Sequence, residues 1–242
     1  MTTDPARLAV DIDAVDETGS QPSTPNFNVA PTATVATVVA RHDDEGDAAS
    51  RRIRLMRWGL LPAWVKAGPD GRPRAKSPLI NARAETLTTS PAFRAAAAHK
   101  RCLVPMDGYY EWLPNPGGRK TPFYMYRPDG HPLMVAGLWS VWKPEGPAES
   151  ALAAPLLSFT VVTTDAVGEL ARVHDRMPLV LGERDWDRWL DPDQPAPAGL
   201  LESRPDISGV AMREVSTLVN KVANNGPQLI EPVEGNQPVG LF

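Results

Sequence analysis

RCLVPMDGYYEWLPNPGGRKTPFYMYRPDGHPLMVAGLWSV, residues 101–141, decides the fold. Four runs rich in aliphatic and aromatic residues stand in it: Arg101–Pro105, Gly108–Leu113, Pro122–Tyr126 and Leu133–Val141. The breaks NPGG (115–118) and RPDG (127–130) are turn chemistry, because proline presets φ and glycine supplies the positive φ that tight turns need. Working outward, Leu156–Thr163 is a further strand, and Val35–Ala40 and Arg51–Met56 are strands joined by an acidic turn, His42–Ala48. Asp4-Pro5 has the order of an N-cap and a first helical proline, followed by the apolar stripe Leu8, Ile12, Val15. Ser90-Pro91 opens a helix through Ala98, Asp165 caps one reaching about Arg172, and Arg184–Leu190 is a short helix. Glu17–Pro25, a mobile Lys66–Pro78 and Pro192–Ala198 are loops. With no internal repeat and no linker, the expectation is one β-rich α+β domain over residues 1–242, with 236–242 a tail.

Bulk properties narrow the function. Hydrophobic residues make up 42% and charged residues 22%, which excludes a mostly disordered chain. No apolar run approaches the roughly 18 residues of a membrane span. Met1–Ala14 carries charge where a signal peptide needs an apolar stretch, so a cytoplasmic protein is expected. The single cysteine, Cys102, excludes an internal disulfide. His42, His99, His131 and His174 are too scattered for a metal site, and no cofactor is expected. The net charge of −4 hides an asymmetry: −7 over residues 1–50, +11 over 51–127 and −8 over 128–242. A basic block is the footprint of an anionic partner such as nucleic acid, or else pairs in space with its acidic flanks. Charge alone does not separate the two.

Four segments are polar where their neighbours predict core. In INARAE (80–85), alternation puts Asn81, Arg83 and Glu85 on one face of an extended stretch, offering hydrogen-bonding and phosphate-pairing groups together. In DGYYEW (107–112), Glu111 sits among aromatics, where burial raises a carboxyl pKa toward that of a neutral-pH proton shuttle. HDRMP (174–178) places His174 after a helix, and NKVANNGP (220–227) gathers three asparagines. Trp58 and Trp64, inside the basic block, could stack on unpaired bases or belong to the core. Each also has a plainer role: Asn81 and Arg83 pinning loops, Glu111 pairing with an arginine, His174 capping its helix.

Jointly the segments resemble one family. NFNVAPT (26–32), RWGLLPAW (57–64), INARAET (80–86) and RCLVPMDGYYEW (101–112) are followed by AGLW (136–139), FTVVTTDA (159–166), HDRMP (174–178) and VNKVANNGP (219–227). In this order they are similar to the SOS-response-associated peptidase (SRAP) family of abasic-site shield proteins, from about Asn26 to Pro232. The resemblance implies an antiparallel, barrel-like sheet with a few short peripheral helices. It implies a monomer that binds single-stranded DNA in a basic channel, on the nucleoid when bound. Such proteins cross-link to the aldehyde of a ring-opened abasic sugar through an N-terminal cysteine, whose amine forms a Schiff base and whose thiol closes a thiazolidine. Carried over by motif position, Asn81 would hold the N-terminal residue or the sugar, Glu111 would shuttle protons and His174 would assist ring opening. Arg83 would clamp phosphate, and Trp58 with the loop after Trp64 would part stacked bases. Arg57 and Asn28, within the same motifs, are further DNA-binding candidates.

The chain departs from the family at its opening, Met1-Thr2-Thr3-Asp4 in place of Met-Cys-Gly-Arg. A truncated start is expected, with Thr2 set back by up to roughly 17 Å of extended chain. Cys102, inside an apolar strand, is expected to be inert. Two alternatives stand beside a cross-linking enzyme: a non-catalytic descendant that only binds single-stranded or abasic DNA, and a protein acting mainly as a peptidase.

Overall fold

The computed structural model describes residues 2–19, 24–44, 46–75, 77–143, 155–233 and 239–240. Its elements in chain order are α1 (Pro5–Asp11), β1 (Ala14–Asp16), β2 (Thr34–Arg41), β3 (Ser50–Trp58), β4 (Asn81–Arg83), α2 (Arg94–His99), β5 (Arg101–Met106), β6 (Gly108–Pro114) and β7 (Lys120–Tyr126). There follow β8 (Leu133–Trp142), β9 (Leu156–Asp165), β10 (Arg176–Pro178), α3 (Trp186–Leu190), α4 (Ala198–Leu201), β11 (Ala211–Glu214) and β12 (Val239–Gly240). One sheet runs β1-β3-β2-β5-β8-β9-β10, and a further pairing of β3 with β9 closes its five central strands into a barrel. The second sheet has the order β12-β11-β7-β6.

The expected antiparallel pairings hold through the barrel, but its closure is parallel: β3 meets β9 in parallel, as do β4 and β9, and β1 and β3. The layering follows from β8, which is apolar along nearly its whole length and buried on both faces. Alternate residues feed two cores. Ala136 and Leu138 join Val38, Leu103 and Val162 beneath the short helices, with Trp189 of α3 fully buried there. Val135 and Trp139 join Val39, Val104 and Phe159 beneath the second sheet, which contributes Met125 and Met212. Gly137 lets β8 fit closely between its neighbours, since a Cβ there would lie 2.8 Å from the Cys102 Sγ of β5 and 3.0 Å from the Thr160 carbonyl of β9.

Arg101, only 3% exposed, ties helices to barrel. Its Nε donates to the Trp189 carbonyl at 2.6 Å, and Nη1 to the carbonyls of Ala97 and Ala98, both at 2.8 Å. Nη2 donates to the carbonyls of Asp191 and of Gln194, the latter at 2.6 Å. One side chain thus caps the end of α2 and fixes the turn after α3.

Several expectations change in detail. The stretch after Asp165 is a 3-10 turn, Gly168–Arg172, because β9 itself runs through Asp165. The helix expected from Ser90-Pro91 begins at Arg94, after a turn in which the Ser90 carbonyl accepts from the N–H groups of Phe93 and Arg94. The loop at 66–78 contains a closed turn, with Gly68 N–H on the Arg72 carbonyl and Arg74 N–H on the Lys66 carbonyl. Val239–Gly240 of the expected tail form β12, while the rest of the 236–242 tail lies outside the described residues, as do Glu45, Lys76 and residues 20–23 of the expected loops.

Candidate functional site

A cavity of about 730 Å³ opens between the barrel and β6 of the second sheet. It is lined by Asn28, Trp58, Asn81, Arg83, Glu111 and His174, six of the eight residues singled out in the sequence, but not by Arg57 or Trp64. Arg57 turns its Nη1 to the Gly59 carbonyl at 3.2 Å, and Trp64 stands 69% exposed on the loop before the basic turn.

β4 presents its side chains because it is a three-residue strand held in parallel register on Val161–Thr163. Ala82 is buried at 1% exposure, so Asn81 and Arg83 project from the opposite face. Glu85 does not continue that face. The chain turns into a 3-10 helix at Ala84–Thr86, and the Glu85 carboxylate instead takes both ends of the Arg176 guanidinium, at 2.7 and 2.9 Å. Arg176 also donates to Asp165 at 2.6 Å and to the Thr163 carbonyl at 2.7 Å, locking β10 to β9 at the cavity rim. The hydrogen bonds from Arg176 hold the Glu85 carboxyl below its usual range.

Glu111 lies on β6, in contact with the cavity, and burial raises its carboxyl pKa while the His174 charge opposes the rise. The Trp112 N–H partly stabilises its ionised form. His174 has its Nδ1 taken up by backbone: the Arg176 N–H lies at 3.0 Å and the Arg176 carbonyl at 3.2 Å, with Asp175 Oδ1 at 3.1 Å. Nε2 is therefore the ring nitrogen left for the cavity, among the described residues. β6 can border the opening closely because Gly108 has no Cβ, which would fall 2.4 Å from the Tyr124 Cζ.

The asparagine-rich segment builds a wall. Asn28 Nδ2 reaches the carbonyls of Val219 and Lys221, both at 3.1 Å, and Asn225 reaches back with its Oδ1 accepting from the Phe27 N–H at 2.8 Å. Asn220 Oδ1 accepts from the Trp112 indole N–H at 2.7 Å, and the Tyr110 hydroxyl donates to the Phe27 carbonyl at 2.7 Å. Trp58 is a fixed wall as well, its indole N–H on the Ile80 carbonyl at 2.9 Å. Sequence reasoning missed Asp107, which accepts from the Thr2 N–H at 2.6 Å and the Thr3 hydroxyl at 2.5 Å. Thr2 therefore lines the cavity rather than falling short of it, held by Asp107 at the junction of β5 and β6. The only hint of Asp107 was its place at the head of DGYYEW.

The basic block resolves into two parts. Arg51 pairs with Asp187, Arg52 with Glu17 and Asp43, Arg54 with Glu17, and Arg127 with Asp129. Those charges are spent on the acidic flanks. Arg57, Lys66, Arg72, Arg74 and Arg83 make no ion pair among the described residues, and they remain for an anion. Cys102 is fully buried and burial pushes its thiol far up, so a maleimide should label it only as fast as the protein unfolds. Labelling of the folded protein within minutes would contradict that. No cluster of three or more His, Cys, Asp or Glu residues with metal-holding geometry occurs among the described residues.

A barrel-flanked cavity that gathers an amide, arginines, a buried carboxyl and a histidine on these motifs defines a family. The chain belongs to the SOS response associated peptidase (SRAP) family, whose sequence profile matches residues 1–222. It is 35% identical to the abasic site processing protein YoqW of Bacillus subtilis over 210 residues, 86% of each chain. It is 30% identical to the abasic site processing protein HMCES of Gallus gallus over 237 residues, 88% of this chain and 68% of that one. A crystal structure of a Bacteroides thetaiotaomicron protein shares the fold, with a TM-score of 0.74 over 96% of this chain and 97% of that chain at 22% identity. No helix among the described residues is long and apolar enough to cross a membrane.

Proposed function

We propose that this chain recognises abasic sites in single-stranded DNA and holds the base-less sugar in the cavity. The observation that carries this reading is the meeting of Asn81, Arg83, Glu111 and His174 around one opening, in a chain whose relatives are named abasic site processing proteins. Arg83, exposed and without an ion pair among the described residues, is suited to the phosphate beside the lesion. Asn81, two residues away on the same face, is suited to the sugar hydroxyls or to the segment that carries Thr2. Glu111, whose carboxyl pKa burial raises, can give and take a proton at the ring-opened aldehyde, and His174 Nε2 can act on the ring oxygen. The exposed Trp64 and the Lys66–Arg74 turn offer a stacking surface and cations for the unpaired strand. In this reading one copy of the chain binds a single strand, and the bound protein travels with the nucleoid.

The test compares affinity for a single strand of about 12 nucleotides with and without a central tetrahydrofuran abasic analogue, and for the matching duplex. The abasic strand should bind most tightly and the intact duplex least. Arg83→Ala should weaken binding alike for every sequence and make the dependence of log affinity on log salt shallower by about 0.7. Duplex preference, or binding indifferent to salt, would overturn the reading.

A further inference from the structure

A row of tyrosines leads away from the cavity along the second sheet. Tyr110 of β6 and Tyr124 of β7 line the cavity, with ring centroids 5.1 Å apart. Tyr124 stacks in turn on Tyr126, at 5.5 Å and 11° between planes, and Tyr126 does not line the cavity. At the outer end lies Arg213 of β11, in register with Tyr124. Its guanidinium rests 4.3 Å from the Tyr126 ring centroid and 5.7 Å from that of Tyr124.

The partners of this arginine are aromatic rings rather than carboxylates or carbonyls. The arginines Arg51, Arg52, Arg54, Arg127 and Arg176 are spent on carboxylates, and Arg101 on carbonyls. Arg213 makes no hydrogen bond and no ion pair among the described residues, and its Nε is buried without a partner. A buried guanidinium N–H left unpaired costs free energy, so an unspent donor fork held flat by two rings is a feature that a ligand repays. Stacking on aromatic faces fixes the plane of the fork and leaves its edge to an oxyanion. Its charge already reaches the cavity wall, where it opposes the burial that pushes the Tyr110 hydroxyl up to about 12. Asp107, whose charge reaches Tyr124, is taken up by Thr2 and Thr3.

We propose that Arg213, laid on Tyr126 and Tyr124, is a phosphate seat outside the cavity that takes a phosphodiester of the strand leaving it. The seat rests on the abasic-DNA reading for the identity of its ligand, and on Arg213's own geometry for its preference for a phosphate oxyanion.

The experiment measures binding of an abasic single strand of about 12 nucleotides to the wild-type protein and to Arg213→Met, which keeps a long apolar side chain on the rings. Arg213→Met should bind about tenfold more weakly, with a salt slope shallower by about 0.7 and an unchanged melting temperature. Arg213→Lys, which keeps the charge without the flat fork, should recover part of the affinity. Neutralising the phosphates one at a time as methylphosphonates should reveal one position that costs the wild type and not Arg213→Met. Equal affinity and slope for the two proteins, or no such position, overturns the seat. If the wild type binds no single strand, the abasic-DNA reading fails by itself. The seat is then judged by titrating inorganic pyrophosphate while watching the Arg213 Nε–H resonance: a shift upholds it and silence rejects it.

Discussion

Replacing Glu111 by Gln is expected to move chemistry and stability in opposite directions. The chemistry is best followed in a Thr2→Cys background, which places an amine and a thiol at the residue that lines the cavity. Adduct formation with an abasic strand should slow by about 10²–10⁴-fold, the usual yield of a positioned proton-transfer group, while affinity for the strand hardly changes. Stability follows from the raised pKa. Burial disfavours the ionised carboxyl, so Glu111 contributes its full stability below its unfolded pKa and loses it as pH rises through the folded value. Above that value the wild type carries a partly buried negative charge that Gln does not. Glu111→Gln should therefore melt higher than wild type at alkaline pH and converge with it in acid. If Glu111 only anchors β6, the variant melts lower at every pH and loses strand affinity together with rate. Unchanged rates in a folded variant would remove Glu111 from the mechanism.

The largest structural effect is expected at Arg101. All five of its N–H groups are donated to main-chain carbonyls drawn from α2, α3 and the segment to Gln194. Arg101→Leu fills the space but strips those carbonyls of their donor. Breaking a buried charged network of this kind costs about 3–5 kcal/mol, a large share of the roughly 5–15 kcal/mol that holds a domain folded. At about 2–4 °C per kcal/mol for a chain of this size, the melting temperature should fall by roughly 6–20 °C. Arg101→Lys, with three donors instead of five, should recover less than half of the loss. A fall of only a degree or two in Arg101→Leu would mean that water replaces the guanidinium, and that the helices need no such tie.

The sequence carried the strands at 101–141 because each is long, apolar and closed by turn residues, and those bounds hold to within a residue or two. It could not carry β10, β11 and β12, which span two to four residues and are too short for any alternation to register. Nor could it carry the parallel closure of β3 on β9, a pairing made between segments about a hundred residues apart. Within the site, Asn81 and Arg83 were legible from strand alternation. Glu85 broke from that face where the backbone tightened into a 3-10 turn, and found Arg176 there. Asn28 has the residue type of a DNA contact, yet its amide nitrogen is committed to main-chain carbonyls, partners that no side-chain pattern announces. The +11 block was divided by pairing in space: β3 spends Arg51, Arg52 and Arg54 on the acidic flanks, whereas Arg57 and the loop after it make no ion pair among the described residues.

The ties between the segment at Asn28 and the asparagine-rich segment join residues 191 to 200 positions apart. That distance has a meaning for the order of assembly. As the chain is made from its N-terminus, the barrel strands and β6 can pair well before the residues that finish the cavity wall exist. Asn28 then has no carbonyls to hold, Trp112 has no Asn220, and the opening lacks one side. A nascent chain is therefore unable to close this cavity until residue 225 has left the ribosome. Contacts of such long range are also the slowest to form once the chain is free. The cavity thus becomes complete last, after the barrel that supports it is already paired.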